Sequence, residues 1–174
     1  MPTTPRASTP DADTTEATLD NRLFFRLFQV GNTLERQTTQ ELGITQVQWG
    51  VLGALSRPNV REGMLFSELA DYLGVSRQNL DGVLKRMARD GHVDRVPDAL
   101  DRRAKRARLT RSGHAFWTAL QPRIYEFYRQ ALQDLGFDSK VSFVHGLNQL
   151  NKAMKQVKLP PARAPRASRG TPRA

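Results

Sequence analysis

Residues 66–110 read FSELADYLGVSRQNLDGVLKRMARDGHVDRVPDALDRRAKRARLT, and this stretch decides the fold. Its first half has apolar residues at the spacing of two amphipathic helices, separated by a short turn at Gly74. The second helix begins at Ser76 and ends at Gly91, and from Leu80 onward it repeats apolar residues at positions i, i+3, i+4 and i+7. The pattern therefore predicts a helix, a tight turn and a second helix.

Two helices joined by a glycine-containing turn are typical of the helix-turn-helix, whose second helix enters the major groove of duplex DNA. Arginine suits guanine and asparagine or glutamine suits adenine in that groove, and such side chains cluster where this second helix begins. Taken alone, the helix also fits an ordinary amphipathic helix with a solvated polar face, which is the more common case. The candidate DNA-contacting residues on this helix are Ser76, Arg77, Gln78, Asn79, Lys85 and Arg86.

A short β-hairpin is predicted after the second helix. Residues 93–96 and 103–109 have the character of strands, and PDALD at 97–101 is the turn between them. Positions 95–111 contain seven basic residues and two acidic ones. A solvated hairpin has no reason to prefer one sign of charge, whereas a hairpin lying between phosphates needs positive charge, so the DNA-binding interpretation is favoured. The candidate DNA-contacting residues on the hairpin are Asp101, Arg102, Arg103, Lys105 and Arg106.

Residues 45–113 resemble the multiple-antibiotic-resistance regulator (MarR) family. The matching pieces, in order, are TQVQWGVLGAL (45–55), SELADYLGVS (67–76), RMARDGHVDR (86–95), the D-x-R motif at Asp101 and Arg103, and LTRSG (109–113). The resemblance implies that Arg103 enters the minor groove and that Asp101 orients the hairpin, or wing. A carboxylate two residues before an arginine at a tight turn can also hold the guanidinium and accept hydrogen bonds from turn amides. His92 departs from the family, which usually has an apolar residue there.

Long amphipathic helices are predicted on both sides of this winged helix-turn-helix, which spans 45–110. They cover residues 18–41 and residues 111–157, the latter as two helices that meet near position 136. Their apolar faces are broader than packing on the winged segment requires, which favours an isologous homodimer over a monomeric helical cap. The family resemblance likewise implies dimers whose first and last helices interlock. The predicted fold is thus mainly α with a small β wing, comprising six helices and one hairpin in a single domain over 18–157.

The two ends of the chain differ from this domain. Residues 1–17 are rich in Thr, Pro and Asp, and residues 158–174 contain five basic residues and no acidic one. Both segments offer little to bury, so we expect them to be disordered, the second as a basic tail.

Composition excludes several classes of protein. The formal net charge is +10, which predicts a polyanionic partner. There is no cysteine, and the three histidines lack metal-ligand spacing, so we expect neither a metal site nor a thiol-based sensor, and no cofactor. No phosphate-binding loop or nucleophile motif is present, which argues against an enzyme. The start of the chain does not resemble a signal peptide and no apolar run reaches membrane-spanning length, so a cytoplasmic protein is expected.

A surplus of aromatic side chains suggests a site for a small effector. The family resemblance implies small aromatic acids bound between the dimerisation helices and the winged segment, and an aromatic wall with a nearby cation suits such a carboxylate. Each aromatic residue taken singly fits an ordinary core position better. The candidate effector-binding residues are Arg22, Phe25, Arg26, Phe28, Trp49, Arg111, His114 and Trp117.

Together these patterns predict a transcriptional regulator that binds duplex DNA sequence-specifically. We expect a repressor that a small aromatic acid releases from a pseudo-palindromic operator. The alternative is an architectural protein that coats DNA without sequence preference, driven by charge and by the basic tail.

Overall fold

The computed structural model describes residues 12–101 and 103–160. Arg102 and the basic tail from residue 161 onward lie outside the described residues, as does most of the predicted disordered segment 1–17. The chain divides into two compact units, Met1–Arg129 and Gln130–Ala174. None of the helices in the described ranges is long and apolar enough to cross a membrane.

The first helix begins earlier than the sequence predicts. Helix α1 spans Ala12–Gln37, so residues 12–17 are helical and the expected boundary at residue 18 is wrong. Glu16 lies near the start of this helix, where an acidic side chain interacts favourably with the positive end of the helix dipole. A π-helical turn, Thr38–Leu42, follows and ends at Gly43, which has the left-handed φ of 72°.

Helix α2, Gln46–Leu55, has Thr45 as its N-cap residue. The Thr45 hydroxyl accepts a hydrogen bond from the Gln48 amide at 3.2 Å, and the Gln48 side chain accepts one from the Thr45 amide at 2.9 Å. This reciprocal capping box fixes the start of the helix. The helix ends before Pro58–Val60, which form a short 3-10 turn.

The winged helix-turn-helix follows in the predicted order, with one extra strand. The elements are β1 (Met64–Leu65), α3 (Phe66–Leu73), α4 (Arg77–Arg89), β2 (Val93–Pro97), β3 (Lys105–Leu109) and α5 (Arg111–Ala131). The sheet is antiparallel in the order β1-β3-β2, with Val93 opposite Leu109 and Met64 opposite Ala107. The extra strand is β1, which the sequence pattern does not predict. Two residues are too few to show the alternation by which strands are recognised.

The core lies among α2, α3, α4, the sheet and the first half of α5. Leu52, Leu69 and Leu84 are fully buried there, and Leu120 and Ile124 of α5 complete it. Because the inner faces of both helices of the helix-turn-helix are fixed in this core, the remaining face of α4 is left to solvent.

In the second unit, α6 spans Phe137–Met154 and contains no buried residue. Helix α5 ends at Ala131, four residues before the predicted end, and α6 ends before the predicted Val157. Helix ends fray, and apolar residues just beyond them extend the sequence pattern past the last hydrogen-bonded turn.

Candidate nucleic-acid interface

Helix α4 is positioned by the turn that precedes it. Gly74 ends α3 in the left-handed conformation, with φ of 67°, and its amide bonds to carbonyls of the last turn. Ser76 then caps α4, its hydroxyl accepting a hydrogen bond from the Asn79 amide at 3.2 Å. These two local features set the angle between the helices. Leu80, Val83, Leu84 and Met87 anchor the inner face.

The predicted contact residues of α4 all lie on its exposed side. Arg77, Gln78 and Asn79 are exposed in the first turn, and Lys85 and Arg86 are exposed two turns later. Ser76 is exposed as well, but its hydroxyl already serves as the cap. The structure thus brings the side chains predicted to contact bases together at the start of the helix. In helix-turn-helix proteins this is the end that enters the major groove.

Asp81 ties this helix to the wing, a role that the sequence analysis missed. Its carboxylate accepts a hydrogen bond from Lys85 at 2.8 Å and forms an ion pair with Arg95 of β2. The Lys85 hydrogen bond and the positive charges of Arg95 and Lys105 lower the pKa of Asp81. The Arg95 guanidinium also lies 5.2 Å from the centre of the Phe66 ring. The i, i+4 spacing of Asp81 and Lys85 was the available sequence signal.

Asp98 organises the wing and was also missed. The side chain is 5% exposed, and one carboxylate oxygen accepts hydrogen bonds from the amides of Leu100 and Asp101, both at 2.9 Å. The other oxygen pairs with the Nε of Arg106. The pKa of Asp98 is lowered chiefly by the Arg106 hydrogen bond and then by the two amides.

Arg106 is therefore paired within the wing and partly buried, whereas the sequence suggested an exposed DNA contact. Besides its pair with Asp98, its Nη1 donates to the Gly63 carbonyl at 3.0 Å, which connects the wing to the residue preceding β1. Strand β3 places Arg106 opposite Val96 and Leu65, one residue pair from the end of the hairpin that carries the turn.

Asp101 bonds to the backbone of the turn. The sequence predicted this bond and, in addition, a bond to an arginine guanidinium. The Asp101 carboxylate accepts a hydrogen bond from the Arg103 amide at 2.9 Å, which confirms the bond to a turn amide. The Arg103 side chain is exposed, as is that of Lys105. Both cations are thus presented at the wing, while Arg102 lies outside the described residues.

The first unit also contains a cavity of about 550 Å³, lined by residues of α1, α2, α3 and α5 and of the turn after α3. Trp49 and Trp117 line it, as predicted, together with Tyr72 and Tyr128. The indole of Trp49 stacks on Tyr128, with ring centres 5.7 Å apart. The remaining lining residues are Leu34, Gln46, Val47, Gly50, Gly53, Ala54, Leu73 and Val75.

The other six predicted effector residues do not line this cavity, and that part of the prediction is corrected. Leu34 is the one lining residue from α1, because the aromatic side chains of that helix point outward, Phe25 being 56% and Phe28 64% exposed. Also outside the lining are Arg22, Arg26, Arg111 and His114, all exposed.

A cation near the cavity comes from an unpredicted position. The lining residues carry no charged side chain. Arg57, however, donates a hydrogen bond to the Tyr72 hydroxyl, and its guanidinium lies 4.5 Å from the centre of that ring. Arg57 follows α2 in sequence and Tyr72 belongs to α3, so only the packing of the two helices reveals the pair.

Comparison with known proteins agrees with this geometry. A model of the MarR family matches residues 42–104. The chain is 44% identical to the transcriptional activatory protein BadR of Rhodopseudomonas palustris, over 87% of this chain and 89% of BadR. It is 34% identical to the homoprotocatechuate degradative operon repressor of Escherichia coli, over 55% of this chain and 62% of that repressor.

A solved structure shows the same fold. Sco3205 of Streptomyces coelicolor, determined in complex with DNA and described as a MarR family transcriptional regulator, superposes with a TM-score of 0.68 at 24% identity. The match covers 92% of this chain and 98% of Sco3205. With the order of elements, the winged sheet and a relative at 44% identity in agreement, the chain belongs to the MarR family of transcriptional regulators.

Proposed function

We propose that this regulator acts as a homodimer that binds a short duplex of pseudo-palindromic sequence, and that a small aromatic acid releases it. The observation that carries the proposal is the joint presentation of Arg77, Gln78 and Asn79 on α4 and of Arg103 on the wing. The α4 side chains are of the types that read bases in the major groove, and the wing arginine suits the narrower minor groove. Sco3205, with the same fold, was crystallised on DNA.

Exposed apolar side chains support the dimer. On α1, Leu23, Phe24 and Phe28 are between 47% and 64% exposed, and on α6, Val141, Phe143 and Val144 are between 53% and 57% exposed. Apolar surface of this extent on a single chain marks an interface. A second copy, related by a two-fold axis, would cover the same residues on both chains. The dimer would then present two copies of α4 to one duplex.

The direction of regulation follows from where the bound site lies. The expectation from the sequence is repression. Of the two relatives, the homoprotocatechuate protein is named a repressor and BadR is named an activator. We propose repression at a site that overlaps a promoter, because a bound dimer excludes the polymerase there. Mapping the bound site relative to the transcription start tests this directly.

Selection from a random duplex pool tests the DNA-binding proposal. The full-length chain should enrich sequences with dyad symmetry and half-sites about 10 bp apart, since the two α4 helices of a dimer lie about one helical turn from each other. Sedimentation at micromolar concentration should show that the protein without DNA is a dimer. With the selected duplex added, it should show one dimer bound per duplex. Enrichment of no sequence would instead support a protein that coats DNA.

The effector would bind in the cavity lined by Trp49 and Trp117. Its aromatic walls suit a planar ring, and Arg57, held against Tyr72, offers a cation for a carboxylate. One relative is named for the degradation of homoprotocatechuate, which is consistent with this chemical class. The cavity lies between α2, α3 and α5, so an occupant can change how α3 packs against the other two helices. An effector that binds more tightly to the conformation unable to bind DNA would shift the dimer toward that conformation.

Tryptophan fluorescence provides the test of the effector. The chain has two tryptophans and both line the cavity, so any change in emission arises from this site. Hydroxybenzoates should quench the emission and weaken binding to the selected duplex, and both effects should require at least tenfold more acid in Arg57→Gln. Arg22→Gln, which changes an exposed arginine of α1, is the matched control and should respond as the wild type. If no aromatic acid alters both signals at millimolar concentration, the effector proposal is wrong.

A further inference from the structure

Leu100 is an unusual residue at the tip of the wing. Its side chain is 96% exposed, the largest exposed fraction of any large apolar side chain in the described part of the chain. Tight turns are ordinarily made of Gly, Pro, Asn, Asp and Ser. A single exposed leucine elsewhere on a surface needs no explanation, but this one lies at the tip of the wing.

The backbone around Leu100 is fixed. The Leu100 amide donates to the buried Asp98 carboxylate at 2.9 Å. Two further bonds close the turn, from the Asp98 amide to the Ala104 carbonyl at 3.0 Å and from the Ala104 amide to the Asp101 carbonyl at 2.9 Å. These hydrogen bonds hold the backbone at Leu100, so its side chain is presented outward from the tip. It can therefore make a contact without the entropic cost of ordering a loop.

The surroundings of the tip favour a polyanion rather than a protein partner. Arg103 and Lys105 are exposed beside the turn, and the charge of Asp98 is neutralised by Arg106 within the wing. The exposed carboxylate of Asp101, next to Leu100, accepts a hydrogen bond from the Arg103 amide and leaves the two cations in excess by one charge. Cations around an apolar tip suit a groove of duplex DNA, where phosphates form the rims and sugars and base edges form the floor. Proteins that bind the minor groove commonly place Leu, Phe, Ile, Met or Pro there beside arginine.

We propose that Leu100 contacts the floor of the minor groove and makes the wing selective for A·T pairs. The inference rests on the proposed DNA binding and adds a second readout to it. In the minor groove, G·C differs from A·T by the exocyclic amino group of guanine. An apolar side chain cannot hydrogen-bond that amino group and is displaced by it, whereas A·T pairs leave room for a close apolar contact.

The test uses three versions of one duplex selected by the wild-type chain. At the base pairs where the wing lies, located by footprinting, A·T pairs are kept, replaced by G·C, or replaced by I·C. Inosine lacks the amino group, so I·C resembles A·T in the minor groove and G·C in the major groove. The wild type should bind the A·T and I·C duplexes within about twofold of each other and the G·C duplex roughly tenfold more weakly, the factor expected for losing part of a leucine contact.

Two substitutions at one position complete the test. Leu100→Met keeps an apolar tip and should retain the wild-type preference. Leu100→Asn should bind the A·T duplex roughly tenfold more weakly and should no longer distinguish it from the G·C duplex. Neither change should alter the midpoint of thermal unfolding, because the side chain is solvated in the free protein.

The outcomes separate this inference from the proposed function. If the wild type selects no duplex, the proposed function fails before Leu100 is tested. If the wild type selects a duplex and Leu100→Asn binds all three versions as the wild type does, the inference is overturned. A uniform loss on all three duplexes would also overturn it, because the side chain would then add affinity without reading the groove.

Discussion

Replacing Gly113 by alanine is expected to lower the free energy of unfolding by about 3 kcal/mol at fixed protein concentration. Gly113 is buried at the start of α5, and a Cβ there would lie well inside van der Waals contact of the His92 carbonyl oxygen. That carbonyl is backbone, and it already accepts a hydrogen bond from the Thr110 amide at 3.1 Å. Neither side of the contact can therefore give way without moving the wing relative to α5.

Hydrogen bonds and a ring contact between the wing and the start of α5 oppose such a movement. The Thr110 hydroxyl donates to the Gly91 carbonyl at 2.6 Å and accepts from the Gly113 amide at 2.9 Å. The His92 ring stacks on Phe116, with centres 4.4 Å apart. Gly82→Ala is the matched control, because the nearest atom to its Cβ is the end of the flexible Arg86 side chain at 3.9 Å. It should stabilise the helix by about 0.5–1 kcal/mol. Equal stability of the two variants in chemical denaturation would contradict the description of this junction.

Arg103→Ala is expected to weaken binding to the selected duplex by about 1–3 kcal/mol while leaving thermal stability unchanged. The Arg103 side chain is exposed, so its removal costs the free protein little. The slope of log affinity against log salt concentration should also become shallower by about one, because the proposed site would place the guanidinium near phosphates. Affinity measured across a range of salt concentrations checks both expectations.

Arg106→Ala is the matched control and should behave differently. It leaves the buried Asp98 carboxylate without its cation and removes the bond to Gly63, so both the melting temperature and the affinity for DNA should fall. Folding lowers the pKa of Asp98, so the pair stabilises the protein above the ordinary pKa of 3.8. This stabilisation is lost as the pH falls through the lowered pKa of the folded state. The difference in melting temperature between wild type and Arg106→Ala should accordingly shrink in acid. If Arg106→Ala melts as the wild type does at neutral pH, the structural role given to Arg106 is wrong.

The parts of the fold that the sequence predicted are those determined by local interactions. The start of α4 at Ser76, the turn at Gly74 and the apolar period of α4 each depend on residues within one or two turns of each other. The family motifs reinforced this pattern. Such features do not depend on how the helices pack against one another, which is why they could be predicted from the sequence.

The parts that were missed depend on contacts between distant segments. Asp98 is central to the wing because the register of β3 places Arg106 beside it and beside Gly63, a residue 43 positions away. The pair of Arg57 with Tyr72 similarly needs α2 and α3 in place. On α1, leucine and phenylalanine residues together cover too broad a face to show which side meets the chain's own core. Large apolar side chains proved to be exposed on more than one side of this helix, among them Leu23, Phe24, Phe25 and Phe28.

Hydroxyl-radical footprinting of the full-length chain on the selected duplex tests the central claim most directly. A dimer that reads DNA with two copies of α4 and two wings should protect a short site with dyad symmetry. The two strongly protected half-sites should lie about 10 bp apart, centre to centre, with weaker protection of the flanking minor grooves. Flanking DNA should stay accessible at the concentration that saturates the site. Protection that is asymmetric, or that spreads along the whole duplex at one concentration, would contradict the account.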